Sequence, residues 1–301
     1  MNRKALNQIR SLTGLLVITF GAIPASAATL KPETLAAWNA YVQTAEGRMR
    51  SHLQPGQNFL WVDEDHARVD QVHSRKPFIS PVDNNPKRVP NGLIHDWMGA
   101  IYIPNVSIDD VLSTVRDYDR YKEFYNPVVV TSHSSVNGNP DDRFSMVLMN
   151  KSVFSKSALD SDYKSKYVKL DAKRWYSISE TTRIQEVEHY GEENAQVLPV
   201  DEGTGLIWRL MSMTRFEERD GGVYVEVEAI ALSRDIPGSL RWIVTPIVKR
   251  VSKGSLVTSL TQTEQAVETR VQVASRRPVE QHSGPTPATE TRPVVMVSSF
   301  H

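Results

Sequence analysis

The sequence contains no cysteine, and this absence removes several structures and chemistries at once. A chain without cysteine has no disulfide framework, no thiolate zinc site, no cysteine nucleophile and no lipidated N-terminal cysteine. It also lacks a surplus of charge, since 35 Lys and Arg residues balance 35 Asp and Glu residues. Duplex nucleic acid requires a positive surplus to neutralise its phosphates, so we expect no nucleic-acid partner.

Long apolar runs are also missing. Beyond the N-terminal segment, no stretch reaches the roughly 18 apolar residues that a transmembrane helix requires. Residues 1–27 combine a basic start with a short apolar run, 12–23, and the small residues Ala25-Ser26-Ala27. That order is typical of a secretory signal peptide. The sequence therefore predicts that residues 1–27 are removed and that the mature protein is exported, to a periplasm or out of the cell.

The signatures of common enzyme classes are absent as well. The chain has no glycine-rich phosphate loop, no Gly-x-Ser-x-Gly elbow and no His-Glu-x-x-His zinc helix. His95 beside Asp96 resembles a general base with its carboxylate, but adjacent residues of a strand point to opposite faces. We therefore predict no catalytic residue, no cofactor and no metal site.

The two ends of the mature chain differ in character. Apolar residues recur at helical spacing from Leu35 to Met49, and Pro32 suits a first turn, so residues 31–53 are predicted to form an amphipathic helix. Residues 54–90 carry five prolines among polar residues, which predicts an irregular connector with a short strand at 59–62. Residues 269–301 show no periodicity and are predicted to be disordered.

Residues 91–268 predict a regular succession of elements. A strand over 93–103 precedes a helix capped by Ser107 and a short helix over 118–125. Six further strands are predicted at 128–135, 143–150, 153–170, 173–187, 205–218 and 222–233. Residues 239–267 predict a closing helix in two pieces, because Pro246 removes a backbone donor and Gly254 weakens the following turn.

The last two strands predict a hairpin with a defined register. Asp220-Gly221-Gly222 tolerates the positive φ angles of a tight turn, and pairing Glu218 with Val223 then assigns the two faces. The apolar face receives Trp208, Leu210, Ser212, Thr214, Phe216, Val225, Val227, Ala229 and Ala231. The other face, where Arg215 lies opposite Glu226, is predicted to meet water.

Two segments of this region resemble the START/SRPBCC proteins. Ile103-Pro104-Asn105, with Asp117-Tyr118-Asp119-Arg120-Tyr121-Lys122-Glu123-Phe124-Tyr125 after it, is similar to the family's first strand and helical pair. Arg234-Asp235-Ile236-Pro237-Gly238-Ser239-Leu240-Arg241-Trp242 is similar to the start of its C-terminal helix. The likeness is greatest to exported bacterial START-like proteins of the polyketide cyclase and coenzyme Q-binding branch. It implies an α+β helix-grip fold, in which a curved antiparallel sheet of about seven strands wraps a long C-terminal helix, here with an extra N-terminal helix.

The resemblance sets the expected domain limits: a signal peptide at 1–27, the helix and connector at 28–90, the START-like domain at 91–268 and the tail at 269–301. It implies a cavity between the sheet and the last helix that binds a hydrophobic small molecule, such as a lipid, an isoprenoid or a polyketide, for carriage or sensing in the cell envelope. The predicted ligand-binding residues are Trp208, Leu210, Ser212, Thr214, Phe216, Val225, Val227, Trp242, Ile243 and Ile247.

Two alternatives remain open at this point. The same cavity could serve a cyclase or aromatase, which requires polar groups such as Arg183, His95 or Asp117 to converge in it. A structural or interaction module with a filled core is the other alternative; it would dock through the helix at 31–53 or the tail at 271–301, and its protein partner is unknown. Trp242 is either an inward core residue or a point of transient membrane contact, because tryptophan favours the interface.

Overall fold

The computed structural model describes residues 28–135, 141–151, 156–236 and 241–276, with side chains described except at 150, 151, 156, 241–249 and 251. The helices are α1 (Pro32–His52), α2 (His66–His73), α3 (Ile108–Val115), α4 (Tyr121–Phe124) and α5 (Arg241–Arg276). The strands are β1 (Ala28–Thr29), β2 (Phe78–Pro81), β3 (Lys87–Val89), β4 (Gly92–Pro104), β5 (Val129–Ser135), β6 (Asp142–Lys151), β7 (Lys156–Lys169), β8 (Arg174–Glu188), β9 (Gln196–Val197), β10 (Glu202–Gly203), β11 (Arg209–Arg219) and β12 (Gly222–Arg234).

One antiparallel sheet organises the molecule. Its strands lie in the order β2-β4-β12-β11-β8-β7-β6-β5, with β3 beside β4 and β9 beside β8, whereas β1 pairs separately with β10. The seven long strands are those that the sequence predicts, and β2, β3 and β9 are short additions. A single large sheet with a long C-terminal helix across one face is the helix-grip arrangement, so the predicted α+β fold class is confirmed.

The hairpin between β11 and β12 has the predicted register. Asp220 and Gly221 adopt positive φ angles of 55° and 77°, as the turn requires. Glu218 pairs with Val223, and Arg215 lies opposite Glu226. We call the side of the sheet that α5 contacts the helix face, and the opposite side the outer face.

Helix α5 is one continuous helix of 36 residues, so the prediction of two pieces was wrong. The lost backbone donor at Pro246 and the glycine at Gly254 lower helix stability without dividing it. The helix also extends to Arg276, so residues 269–276 of the predicted tail are helical, and 277–301 lie outside the described residues. It packs against β4, β2, α3 and α4, and a Cβ on Gly99 of β4 would lie 2.9 Å from Leu256 Cδ2.

The N-terminal segment covers the outer face of β4, β11 and β12, so the prediction that this face of the hairpin meets water was wrong. Helix α1 is confirmed, and its apolar stripe packs on the outer face. The cluster consists of Trp38, Tyr41, Ala45 and Met49 from α1, with Ile94, Trp208, Met211, Met213, Ile230 and Leu232 from the sheet and its edge. Burial of these residues stabilises an additional layer that the minimal helix-grip fold does not include.

The connector after α1 completes this layer. The strand predicted at 59–62 is absent; Phe59, Leu60 and Val62 are buried, and Trp61–Glu64 form a 3-10 turn. The backbone N–H groups of Trp61 and Val62 donate to Glu226, which pairs with Arg215. Arg215 also donates to the Phe59 carbonyl at 3.0 Å. The predicted cross-strand charge pair therefore forms, but beneath the connector instead of in water.

A second charged group anchors α1 to the same face. Arg48 donates to Asp96 at 3.0 Å and to Glu228 at 2.6 Å, and the Tyr41 hydroxyl donates to Asp96 at 2.7 Å. Asp96 is 1% exposed and Glu228 is 5% exposed. One guanidinium therefore serves two buried carboxyl groups, and burial, together with the charge of Glu228, raises the pKa of Asp96.

Candidate functional site

The helix face of the sheet carries two groups of large apolar side chains. The first lies under α5 and α3, where Ile101, Phe216 and Val225 pack with Leu256 and Leu260. The second lies at the β5–β6 side, where Tyr118 stacks on Phe144 at 4.1 Å between ring centroids, and Phe144 stacks on Tyr163 at 4.8 Å. These two groups belong to separate clusters of buried residues, and we call them the helix wall and the aromatic wall.

Small side chains occupy the sheet between the two walls. Cross-strand pairing places Ser179, Ser212 and Ala229 in one row and Ser177, Thr214 and Val227 in the next. We call these six residues the trough. Among them only Ser177 is fully buried, and the other five are partly exposed. On β11, which carries Ser212 and Thr214, the outer-face residues Met211, Met213 and Arg215 are at most 4% exposed.

The difference in exposure between the two faces of β11 indicates that the space on the helix face is incompletely filled. A central strand of a sheet covered on both sides buries both sets of alternating side chains when the layers pack flush. Here β11 buries its outer set and leaves Leu210, Ser212 and Thr214 partly exposed on the helix side. The trough is therefore incompletely covered, and its side chains remain partly accessible to solvent between the two walls.

The structure brings together most of the predicted ligand-binding residues. Ser212, Thr214 and Val227 belong to the trough, Phe216 and Val225 to the helix wall, and Leu210 packs against the aromatic wall. Trp208 departs from its predicted face, because it precedes β11 and packs with α1 in the outer-face cluster. The side chains of Trp242, Ile243 and Ile247 lie outside the described residues.

The polar groups that a cyclase would need do not converge in the trough. Arg183 pairs with Asp160 and Asp162, and Asp117 accepts a hydrogen bond from Arg270 at 2.7 Å. His95 does lie on the helix face, at the β4 end near Ser233, and its Nε2 atom is 2.9 Å from the Ser233 hydroxyl. Burial lowers the pKa of His95 to about 4, so this imidazole is neutral at physiological pH.

Sequence reasoning missed three polar atoms beside the recess. Trp175 Nε1 is buried without a hydrogen-bond partner among the described residues, whereas Tyr163 Oη and Ser161 Oγ are buried beside each other. Tyr163 pairs with Thr181 on β8 and Ser161 with Ile184, so both project from the helix face. The alternation of serine and tyrosine along Ser161-Asp162-Tyr163-Lys164-Ser165 was a readable signal, since residues two apart share a face.

Metal binding and membrane crossing find no support within the described ranges. In residues 28–135, 141–151, 156–236 and 241–276, no group of three or more His, Asp or Glu side chains could hold a metal ion. None of the helices in these ranges is both long and apolar enough to span a bilayer.

Comparison with known proteins finds likeness at the level of structure only. No protein-family model and no curated protein matches the sequence. The solved STAR-related lipid transfer protein of Xanthomonas axonopodis is similar over 63% of this chain and 98% of its own, at 17% identity and a TM-score of 0.40. Human STARD10 is similar over 65% of this chain and 76% of its own, at 8% identity and a TM-score of 0.41. The Zhui aromatase/cyclase of Streptomyces sp. R1128 is similar over 60% of this chain and 98% of its own, at 13% identity and a TM-score of 0.38.

The fold assignment rests on the order of the elements. A first long strand, a helical pair, six antiparallel strands and a terminal helix laid over the sheet form the helix-grip fold that the resemblance implies. The same fold supports binding proteins and enzymes, so the residues of the trough, and not the fold, bear on function.

Proposed function

We propose that this protein binds a hydrophobic small molecule in the trough between the sheet and α5, for carriage or sensing in the cell envelope. The observation that carries the proposal is the partial exposure of Ser212, Thr214 and Val227 at the centre of the sheet, where Met211, Met213 and Arg215 on the opposite face are buried. Small-molecule sites are recesses of this kind, mostly apolar with a few polar groups. No covalent step is required.

Apolar burial supplies enough free energy for such binding. A ligand that removes about 400 Å² of apolar surface from water gains on the order of 10 kcal/mol, before the cost of association. Leu210, Thr214 and Val227, which are partly exposed on the helix face, offer that kind of surface. An elongated or flat apolar molecule lying along the two rows of small residues would contact these side chains.

Extraction and a plugging variant test the proposal together. Protein purified from its own host, extracted with organic solvent, should release a discrete apolar compound detectable by mass spectrometry. The neutral dye N-phenyl-1-naphthylamine should bind the stripped protein and become fluorescent. Ser212→Trp should weaken dye binding about tenfold or more by filling the trough, whereas Ser113→Trp on the exposed side of α3 should leave it unchanged. Absence of both a compound and dye binding, or an unchanged affinity in Ser212→Trp, would refute the assignment.

The envelope location is part of the proposal and has its own test. Residues 1–27 have the order of a secretory signal, and we propose that they are cleaved after Ala27. N-terminal sequencing of protein recovered from the exported fraction should begin at Ala28. Recovery of the chain only from the cytoplasm, with residues 1–27 attached, would contradict this location.

Carriage requires the ligand to pass to or from a bilayer, and we propose Trp242 as a point of transient membrane contact. Trp242→Phe should reduce co-sedimentation with phosphatidylcholine vesicles. Equal sedimentation of the variant and the parent protein would exclude this role.

A further inference from the structure

The incompletely covered space extends beyond the trough along β12. On the helix face of this strand, Ala229, Ala231 and Ser233 are all partly exposed. On the outer face, Ile230 and Leu232 are at most 1% exposed. The three helix-face side chains are small, like those of the trough. A ligand lying in the trough can therefore extend toward the end of β12, where the next helix-face row contains His95.

His95 lies in that row and on the same face. It pairs with Ala231 on β12, and Ala231 pairs with Leu210 on β11. Trp97, two residues further along β4, packs in the helix wall, and residues two apart on a strand share a face. His95 is 7% exposed. Its imidazole therefore lies at the β4 side of the incompletely covered space, one row beyond the trough.

Hydrogen bonds around Ser233 assign the proton of this imidazole. The single proton of the Ser233 hydroxyl is donated to the carbonyl of Arg234 at 3.2 Å. The Ser233 oxygen therefore accepts from His95 Nε2, 2.9 Å away, and Nε2 carries the ring proton. Burial lowers the pKa of His95 to about 4, so the ring is neutral and holds only that one proton. The other ring nitrogen, Nδ1, is left as a hydrogen-bond acceptor.

This acceptor has no protein partner among the described residues. The one hydrogen bond of the His95 ring is that of Nε2 to Ser233. Nδ1 is also not one of the fully buried unpaired polar atoms, so it retains some accessible surface. Water can serve Nδ1 in the free protein, and a ligand that displaces this water has to replace its hydrogen bond. A donor group on the ligand does so.

The charges nearest to this end of the face are already paired. Arg88 lies one row beyond His95, because it pairs with Leu93, which pairs with Ser233. Its guanidinium forms an ion pair with Asp235 at 3.1 Å, and these two side chains are 56% and 30% exposed. A ligand carboxylate beside Nδ1 would place one acceptor against another and lose its hydration, whereas a hydroxyl group can donate. The arrangement favours a neutral donor.

Resting on the proposed function, we propose that His95 and Ser233 form a polar subsite that accepts a hydrogen bond from a hydroxyl group of the ligand. The bound compound is then a neutral apolar alcohol, whose O–H donates to His95 Nδ1 and whose hydrocarbon body lies along the trough. Ser233 is a positioning residue, because its hydroxyl holds the imidazole in the tautomer that leaves Nδ1 free to accept.

Two isomeric probes test the subsite. Decanol donates and accepts hydrogen bonds, whereas methyl nonyl ether, with the same atoms, only accepts. Each is titrated against bound N-phenyl-1-naphthylamine, and the ratio of the two dissociation constants is compared between protein variants, so that the different solubilities of the probes cancel. The ratio should favour decanol about three- to tenfold more in wild-type protein than in a variant without Nδ1, the effect of one hydrogen bond.

Three histidine variants identify the atom responsible. His95→Gln keeps an amide where Nε2 bonds Ser233 but has no group at the Nδ1 position, so it should lose the decanol preference. His95→Asn places its amide oxygen at the Nδ1 position and should retain part of the preference. His66→Gln makes the same change at an exposed position of α2 and should retain all of it. Thermal unfolding shows which of these proteins are folded.

Nitrogen-15 NMR of wild-type protein provides a readout that no variant has to supply. After sequential assignment, the His95 ring should show a protonated Nε2 and an unprotonated Nδ1 at neutral pH. Decanol should shift the Nδ1 resonance, and methyl nonyl ether should shift it less. A protonated Nδ1, or equal shifts with both probes, would overturn the inference even if the substituted chains do not fold.

The outcomes separate the subsite from the proposed function. A decanol preference that is lost in His95→Gln and kept in part in His95→Asn supports the subsite. If both probes displace the dye and the ratio is the same in wild type and His95→Gln, the subsite is overturned while the hydrophobic site stands. Equal loss in the Gln and Asn variants would assign the effect to altered packing and would also overturn it. Failure of both probes to displace the dye counts against the hydrophobic site and refutes the subsite with it.

Discussion

Replacing Asp96 with asparagine should flatten the pH dependence of stability. Asp96 is buried under α1 and shares the single guanidinium of Arg48 with Glu228. Burial, and then the nearby charge of Glu228, raise the pKa of Asp96 from 3.8 to about 8. Its Oδ1 atom accepts no hydrogen bond, which also favours a proton on this carboxyl group. Asparagine resembles the protonated form, so Asp96→Asn should behave like the wild-type protein at low pH.

The size of the effect follows from linkage. A carboxyl group whose pKa is higher in the folded state stabilises the fold most below the unfolded pKa, and this contribution is lost as the pH rises through the folded pKa. One pKa unit corresponds to about 1.36 kcal/mol, so the rise at Asp96 removes on the order of 5 kcal/mol between pH 4 and pH 8. Between pH 5 and pH 8 the wild-type protein should therefore lose about 4 kcal/mol that the variant keeps.

Urea unfolding followed by circular dichroism at pH 5, 6.5 and 8 measures this difference. Asp96→Asn should be within about 1 kcal/mol of wild type at pH 5 and more stable than wild type at pH 8. Asp70→Asn, at an exposed position on α2, is the control and should follow the wild-type profile. Parallel profiles for wild type and Asp96→Asn would show that Asp96 is ionised throughout and that the reasoning is wrong.

Three further substitutions test the packing of the fold by urea unfolding at pH 7. Arg215→Ala should cost about 3 to 5 kcal/mol because it removes the counter-charge of the buried Glu226 carboxyl group; a loss below 1 kcal/mol would show that water reaches the pair. Gly99→Ala should cost about 1 to 3 kcal/mol, since its Cβ would meet Leu256 Cδ2 at 2.9 Å, and an unchanged midpoint would mean that α5 shifts freely. Ser107→Ala should cost about 1 kcal/mol through loss of the α3 capping box, whereas Ser107→Asp should retain most of that stability, and an equal loss in both would exclude capping as the cause.

The parts of the fold that the sequence predicts correctly are those with local causes. Helix α1 has a helical apolar repeat, Ser107 caps α3, and the turn at Asp220-Gly221 sets the register of β11 and β12. In each case the determining residues are neighbours in the chain. A two-residue alternation and a known turn assign the faces of β11 and β12. They therefore predict correctly the shared face of Leu210, Ser212, Thr214, Phe216, Val225 and Val227.

The outer layer was missed because its causes are distant in sequence. Arg215 and Glu226 on a strand indicate a solvated face until their partners are known, and those partners are backbone groups of Phe59, Trp61 and Val62. No local pattern shows that a charged side chain will be buried by a segment about 160 residues earlier.

The outer layer also constrains the order in which the protein can assemble. Helix α1 and the connector are made first during synthesis, but the surface they cover is built by β4, β11 and β12, and Arg48 pairs with Glu228 180 positions later. Until the last strands are synthesised, Trp38, Tyr41 and Met49 have no surface to pack against. The nascent chain therefore exposes an aggregation-prone N-terminal segment. A holding chaperone, or secretion of the unfolded chain before it collapses, would protect that end.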